Sequence, residues 1–160
     1  MKTYTELQEG VYDPNILKAF FLAGGPGSGK SYVVKKSTGG TGMKIVNSDD
    51  IFEKYLAKAK LDFKMQASQK SERDALRTRA KKVTEKRKAN YIEGRLGLII
   101  DGTGKDYGKI TSQAAQLKQI GYDVHMIFVN TSLEVALANN AQRKRVVPEK
   151  LVMNMWKQVQ

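Results

Sequence analysis

The chain has no cysteine, one histidine, one tryptophan and three prolines among its 160 residues. Without cysteine there is no disulfide framework and no thiolate-ligated zinc or iron–sulfur centre. A single histidine excludes a multi-histidine metal site. Long apolar runs are missing too: stretches such as Ala19–Ala23 and Leu96–Ile100 fall far short of the roughly 20 residues needed to span a bilayer. The opening MKTYTELQEG lacks the apolar stretch of a secretory signal. These absences lead us to expect a cytoplasmic protein with no membrane association. Negative charge is also scarce. There are 16 Asp and Glu against 28 Lys and Arg, a formal net charge of +12 and a pI near 9.8. Such a surplus favours anionic partners, nucleotides or nucleic acid, although a merely solvated basic surface has the same composition.

Hydrophobic residues make up 41% and charged residues 28%, a balance that suits one folded domain rather than disorder. The pattern alternates between short apolar runs and helical stretches. Strands are expected at 18–23 (KAFFLA), 43–46 (MKIV), 96–100 (LGLII) and 123–129 (DVHMIFV). Helices are expected at Ser31–Lys36, Ile51–Lys60, Ser71–Glu93, 108–120, 132–142 and Glu149–Val159. Alternation of this kind predicts an α/β fold, a doubly wound, mostly parallel sheet of four to five strands flanked by helices. Residues 1–17, with a turn at Asp13-Pro14-Asn15, read as an arm over the core. Residues 54–95 carry about half of the basic residues. Their long helix is expected to bury one thin stripe through Ala75, Leu76, Ala80, Val83, Ala89 and Ile92.

The most specific signal is GGPGSGKS at 24–31, which fits G-x-x-x-x-G-K-[ST] with Gly24, Gly29, Lys30 and Ser31 in place. A triphosphate needs several backbone N–H donors pointing inward together. Gly25, Gly27 and Gly29 allow so tight a fold, and the following helix offers its positive end. Lys30 can reach the β- and γ-phosphates, and the Ser31 hydroxyl can ligate Mg²⁺. The expected ATP contacts are therefore Gly25, Gly27, Ser28, Gly29, Lys30, Ser31 and Tyr32.

Reaction chemistry needs further groups. Asp49 and Asp50 follow the second strand, and Asp101 with Thr103 follows the third. The C-terminal ends of parallel strands face the ligand crevice, so a carboxylate there can accept a hydroxyl proton or hold the magnesium shell. Asp49 is the expected base and, with Ser31, a metal holder; Asp50, Asp101 and Thr103 are expected to face the substrate. Asp50 with Glu53 also resembles a capping box, which would explain one aspartate but not both. Arg143, Lys144 and Arg145 precede Val146-Val147-Pro148. A basic lid over 139–150 could stabilise a transferring phosphoryl group, with Arg143 and Arg145 as the catalytic candidates. The guanine-reading N-K-x-D motif is absent. His125 in mid-strand is expected to pack or make a structural hydrogen bond. Leu151, Met155 and Trp156 are expected in a core or a subunit contact.

Together these residues resemble the P-loop kinases that include phage-type 5′-hydroxyl polynucleotide kinases and zeta-toxin-like kinases. The likeness lies in GGPGSGKS (24–31), IVNSDD (45–50), LIIDGTG (98–104), LKQIGYDVHMIFV (117–129) and NNAQRKRVVPEKLVMNMWKQV (139–159). It implies a P-loop NTPase fold, ATP and Mg²⁺ as cofactors, and Asp49 as the base that activates a 5′-hydroxyl. A phage-encoded protein working in a bacterial host fits the same resemblance. Two features depart from the family. The polynucleotide kinases carry a substrate-holding Arg three residues after the base, where this chain has Phe52, and no phosphatase-like D-x-D-x-T motif follows. Many P-loop kinases add a fifth strand beyond the point where this chain stops. Either the sheet has four strands, or the chain is a piece of something longer. Three functions follow from this reading: a kinase acting on the 5′-hydroxyl of a polynucleotide, a kinase of a small metabolite such as a nucleotide sugar, and an ATP-binding module in a nucleic-acid-handling complex.

Overall fold

The structure is a computed structural model that describes residues 13, 15–63, 67–143 and 145–160. Four strands, β1 (Lys18–Ala23), β2 (Lys44–Val46), β3 (Leu98–Asp101) and β4 (Asp123–Phe128), form one sheet in the order β2-β3-β1-β4. All pairings among them are parallel. The helices are α1 (Lys30–Thr38), α2 (Ser48–Lys58), α3 (Lys70–Glu93), α4 (Tyr107–Gln119), α5 (Leu133–Ala141) and α6 (Glu149–Val159). The expected doubly wound architecture is therefore present, with four strands rather than five among the described residues. Of the expected N-terminal arm, residues 1–12 and 14 lie outside the described residues. The Ile16 amide closes the expected turn on the Asp13 carbonyl, and Ile16 bridges to Leu96.

Strand register sets the site. Leu22 pairs with Asp101, Val46 with Ile100 and Ala23 with Phe128. The chain thus leaves β1, β2, β3 and β4 along one edge, which brings 24–31, 47–50, 101–104 and 129–132 together. Alternation along the strands divides the core. Ala19, Phe21, Val46 and Leu98 pack with Leu117 and Tyr122 on one face. Leu22 and Ile99 pack under Val34 of α1 on the other. A third cluster, Ile51, Phe52, Leu56, Leu61 and Ala80, joins α2 to α3.

Several boundaries differ from expectation for identifiable reasons. α2 begins at Ser48, not Ile51, because the Asn47 side chain caps it, accepting from the Asp49 amide at 2.7 Å. Neither Asp50 nor Asp49 is the cap, so both stand in the first turn. Asp101 belongs to β3 itself rather than to the turn after it. On α3 the buried positions are Arg73, Ala80 and Thr84, with Leu76 and Val83 partly buried. Ala75 and Ala89 are exposed, because polar residues share the inward stripe. On α6 the fully buried residue is Val152, and Leu151 is exposed. His125 stacks on Phe20 at 5.2 Å and pairs with Asp123 at 2.9 Å, a structural role.

Candidate active site

The 24–31 loop joins β1 to α1 and is held from outside. Gly24 donates its amide to the Thr103 carbonyl at 3.0 Å. Gly25 lies against the backbone of Trp156 on α6, whose indole Nε1 donates to the Thr131 carbonyl at 2.8 Å. Gly27 has φ 81°, and a side chain there would run into the Ala136 carbonyl of α5. Its own carbonyl accepts from Asn139 Nδ2 at 2.8 Å. Gly29 takes φ 92° at the N-cap of α1, which leaves the first amides of the helix facing the bend.

Inside the bend, the Lys30 ammonium donates to the carbonyls of Gly24 at 2.7 Å and Gly25 at 3.1 Å. Burial lowers its pKa below the usual lysine value; Asp101 and Asp49 pull it back up, and Arg143 adds to the lowering. Asp101 is the counterpart. Burial raises its carboxyl above the ordinary 3.8, Lys30 opposes that, and Asp49 and Asp50 add to it. One carboxylate oxygen, Oδ2, accepts from Asn47 Nδ2 at 2.9 Å. The other, Oδ1, is buried without a partner among the described residues, as is the Ser28 hydroxyl. Lys30, Asp49, Asp50, Asp101 and Arg143 thus stand close enough for their charges to act on one another. Beside them lies a cavity of about 380 Å³ whose walls include Ser31, Asn47, Asp50 and Asp101 over Leu22 and Ile99.

On the far side Asp49 is gripped twice. Arg145 reaches its Oδ2 at 2.9 Å and Glu53 Oε1 at 3.1 Å, one helical turn along α2. Arg145 is only 5% exposed. Arg77 of α3 reaches Asp49 Oδ1 at 3.5 Å. Both guanidinium groups lie over the ring of Phe52, at 5.8 Å for Arg145 and 5.2 Å for Arg77. The segment that carries Arg145 is tied down by buried Asn140, which exchanges two hydrogen bonds with Val147, 2.8 and 3.1 Å.

The two lid arginines therefore differ. Arg145 is buried and committed to α2, while Arg143 is exposed and acts on the Lys30–Asp101 pair. Lys144 lies outside the described residues. Ser31 and Asp50 reach the cavity; Thr103 contributes its carbonyl to the loop. Tyr32 follows in the first turn of α1 with its side chain 67% exposed and Lys36 at 6.0 Å over its ring. Sequence reading missed Asn47, Glu53, Arg77 and Asn140. Asn47 was visible as a capping residue ahead of an acidic first turn. Arg77 lay hidden in a run of charge.

Sixty-six solved chains match the structure. One is AvrRxo1-ORF1:AvrRxo1-ORF2, solved with sulphate ions (TM-score 0.69, 19% identity, 89% of this chain and 47% of that one) and also with ATP. A second is the Pnkp1/Rnl/Hen1 RNA repair complex (0.67, 17%, 98% and 47%). A third is the PezAT toxin–antitoxin system of Streptococcus pneumoniae (0.58, 18%, 78% and 51%). The chain spans about half the length of these solved chains. No curated protein sequence matches it. Its architecture is a P-loop kinase-like fold. With the model of that family matching residues 20–160, the chain belongs to the AAA domain family (AAA_33).

Proposed function

We propose that the chain is an ATP- and magnesium-dependent kinase that transfers the γ-phosphoryl group to the 5′-hydroxyl of a polynucleotide. The observation that carries this reading is the pairing of two unlike sites across one crevice. A lysine-bearing phosphate loop lies on one side. On the other, a strand-end carboxylate, Asp49, is aimed by two guanidinium groups.

Lys30 leaves its own loop carbonyls for the β- and γ-phosphates when ATP enters. Arg143, exposed at the lid, neutralises charge on the transferring group. Asp49 accepts the acceptor's proton on Oδ1, the oxygen with the longer contact. Magnesium, which neutralises phosphate charge when bound, suits Ser31 and Asp101. Both line the cavity, and Asp101 Oδ1, which has no hydrogen-bond partner among the described residues, is an oxygen of the kind Mg²⁺ prefers. The two oxygens of Asp49 already carry guanidinium contacts, which favours Asp101 over Asp49 as the holder. Arg145 orients Asp49 and anchors the lid.

The cavity beside Ser31 also supports a second reading, a small hydroxylated metabolite as acceptor, because about 380 Å³ falls within the range of small-molecule sites. Transfer of radiolabel from ATP to a 5′-hydroxyl oligonucleotide tests the first reading, with nucleotide sugars as the parallel arm. Label on the oligonucleotide that Asp49→Asn abolishes is the expected result. Label only on the metabolite selects the second reading. Oligonucleotide binding with no transfer to either leaves an ATP-binding module.

A further inference from the structure

The seam between α2 and α3 carries a feature that the phosphate loop does not require. Phe52 and Tyr55 lie three residues apart on α2, and each has an arginine of α3 over its ring. Arg77 stands 5.2 Å above Phe52 and Arg79 stands 5.2 Å above Tyr55. Arg145, the other cation on Phe52, is saturated by Asp49 and Glu53. Arg77 is 40% exposed, and its one ion pair among the described residues is the 3.5 Å contact to Asp49. Arg79 is exposed and has no carboxylate partner among the described residues. A guanidinium over an aromatic ring is held in place while N–H donors remain for an outside anion. Arginine fixed in this way suits phosphate, which takes two parallel N–H bonds from its fork.

We propose that Arg77 and Arg79 form a track for the phosphates of the acceptor strand. Arg77 takes the phosphate nearest the reacting hydroxyl, and Arg79 takes the next one out. The direction of the track rests on the kinase reading, because Asp49 marks where the hydroxyl sits. The track favours a polynucleotide over a compact metabolite: the two stacked cations lie along a helix seam, leading away from Asp49. Phe52 and Tyr55 serve as platforms for cations here and do not stack bases.

The test uses the full chain and three acceptors: a nucleoside, a nucleoside 3′-phosphate, and a 5′-hydroxyl oligonucleotide. Arg77→Ala should raise KM about tenfold for both phosphate-bearing acceptors but not for the nucleoside, on top of a kcat loss shared by all three acceptors through its contact with Asp49, and leave KM for ATP unchanged. Arg79→Ala should affect the oligonucleotide alone. Arg77→Lys should recover part of the loss, and Lys86→Ala, on the exposed side of α3, should do nothing. In oligonucleotide binding followed by fluorescence anisotropy, each Arg→Ala change should flatten the slope of log affinity against log salt by about 0.7. Equal changes in KM on all three acceptors, or an unchanged salt slope in both variants, would overturn the track. If the wild type transfers phosphate to none of them, the kinase reading fails. The anisotropy series then decides the track alone, upheld by a flattened slope and refuted by an unchanged one.

Discussion

Between Gly24 and Ser31 the phosphate-loop side of the crevice closes within consecutive residues, whereas the side proposed for the acceptor draws Asp49 and Glu53 from α2, Arg77 from α3 and Arg145 from the segment between α5 and α6. The first is built from backbone, with glycine conformations and carbonyls turned by a lysine. The second is built from side chains that meet only after the sheet has formed, across separations such as 92 residues for Arg145 and Glu53. A loop made of backbone serves any nucleoside triphosphate. A cluster of charged side chains can be exchanged for another without rebuilding the loop, and that is where the proposed function puts acceptor choice.

The sharpest way to break this division is to mutate one side and read both. Lys30→Ala should cost about 10³-fold or more in phosphoryl transfer and should also weaken ATP binding, measured by calorimetry. Asp49→Asn should cost about 10²-fold or more in transfer while ATP binding stays within about twofold of wild type. Loss of ATP binding in Asp49→Asn would merge the two sides. Asn140→Ala tests the link between them. It strands the part-buried peptide groups of Val147 that Asn140 now satisfies, at a cost of about 1 kcal/mol and about 3 °C in Tm, read by thermal melts. It should also release Arg145 from Asp49 and lower transfer more than ATP affinity.

The smallest effect is a matter of pH. Burial holds Asp101 above its ordinary value of 3.8, so the native state keeps this proton more tightly than the unfolded chain. Asp101 therefore lowers stability as pH rises from 3.8 through its native value, and the penalty is complete above that value. Asp101→Asn, which can still accept from Asn47, should melt at or above the wild-type temperature at pH 7 while transferring phosphate poorly. The gap in Tm should close as pH falls below 3.8. A variant that melts well below wild type at pH 7 would mean that the buried anion stabilises the fold.

The same contrast explains what could be read from the chain alone. The sheet, the phosphate bend and the strand-end aspartates were legible because each is encoded locally. Apolar runs bounded by glycine mark the strands, and the glycine spacing marks the bend. Partner choice was not legible. Nothing in the run from Lys81 to Lys88 distinguishes it from the turn that holds Arg77; only the packing of α3 against Phe52 does. The two lid arginines look alike in sequence, and burial alone separates Arg145 from Arg143. The cap of α2 was misassigned because Asp50 and Glu53 imitate a capping box, while Asn47, three residues upstream, holds the amide.

Calorimetric titration of Mg-ATP into the wild type, Lys30→Ala and Asp49→Asn tests the division most directly. The account predicts a saturable heat for the wild type and Asp49→Asn with affinities within about twofold of each other, and none for Lys30→Ala. A wild type that takes up no Mg-ATP, or a Lys30→Ala protein that binds as well as wild type, would contradict it.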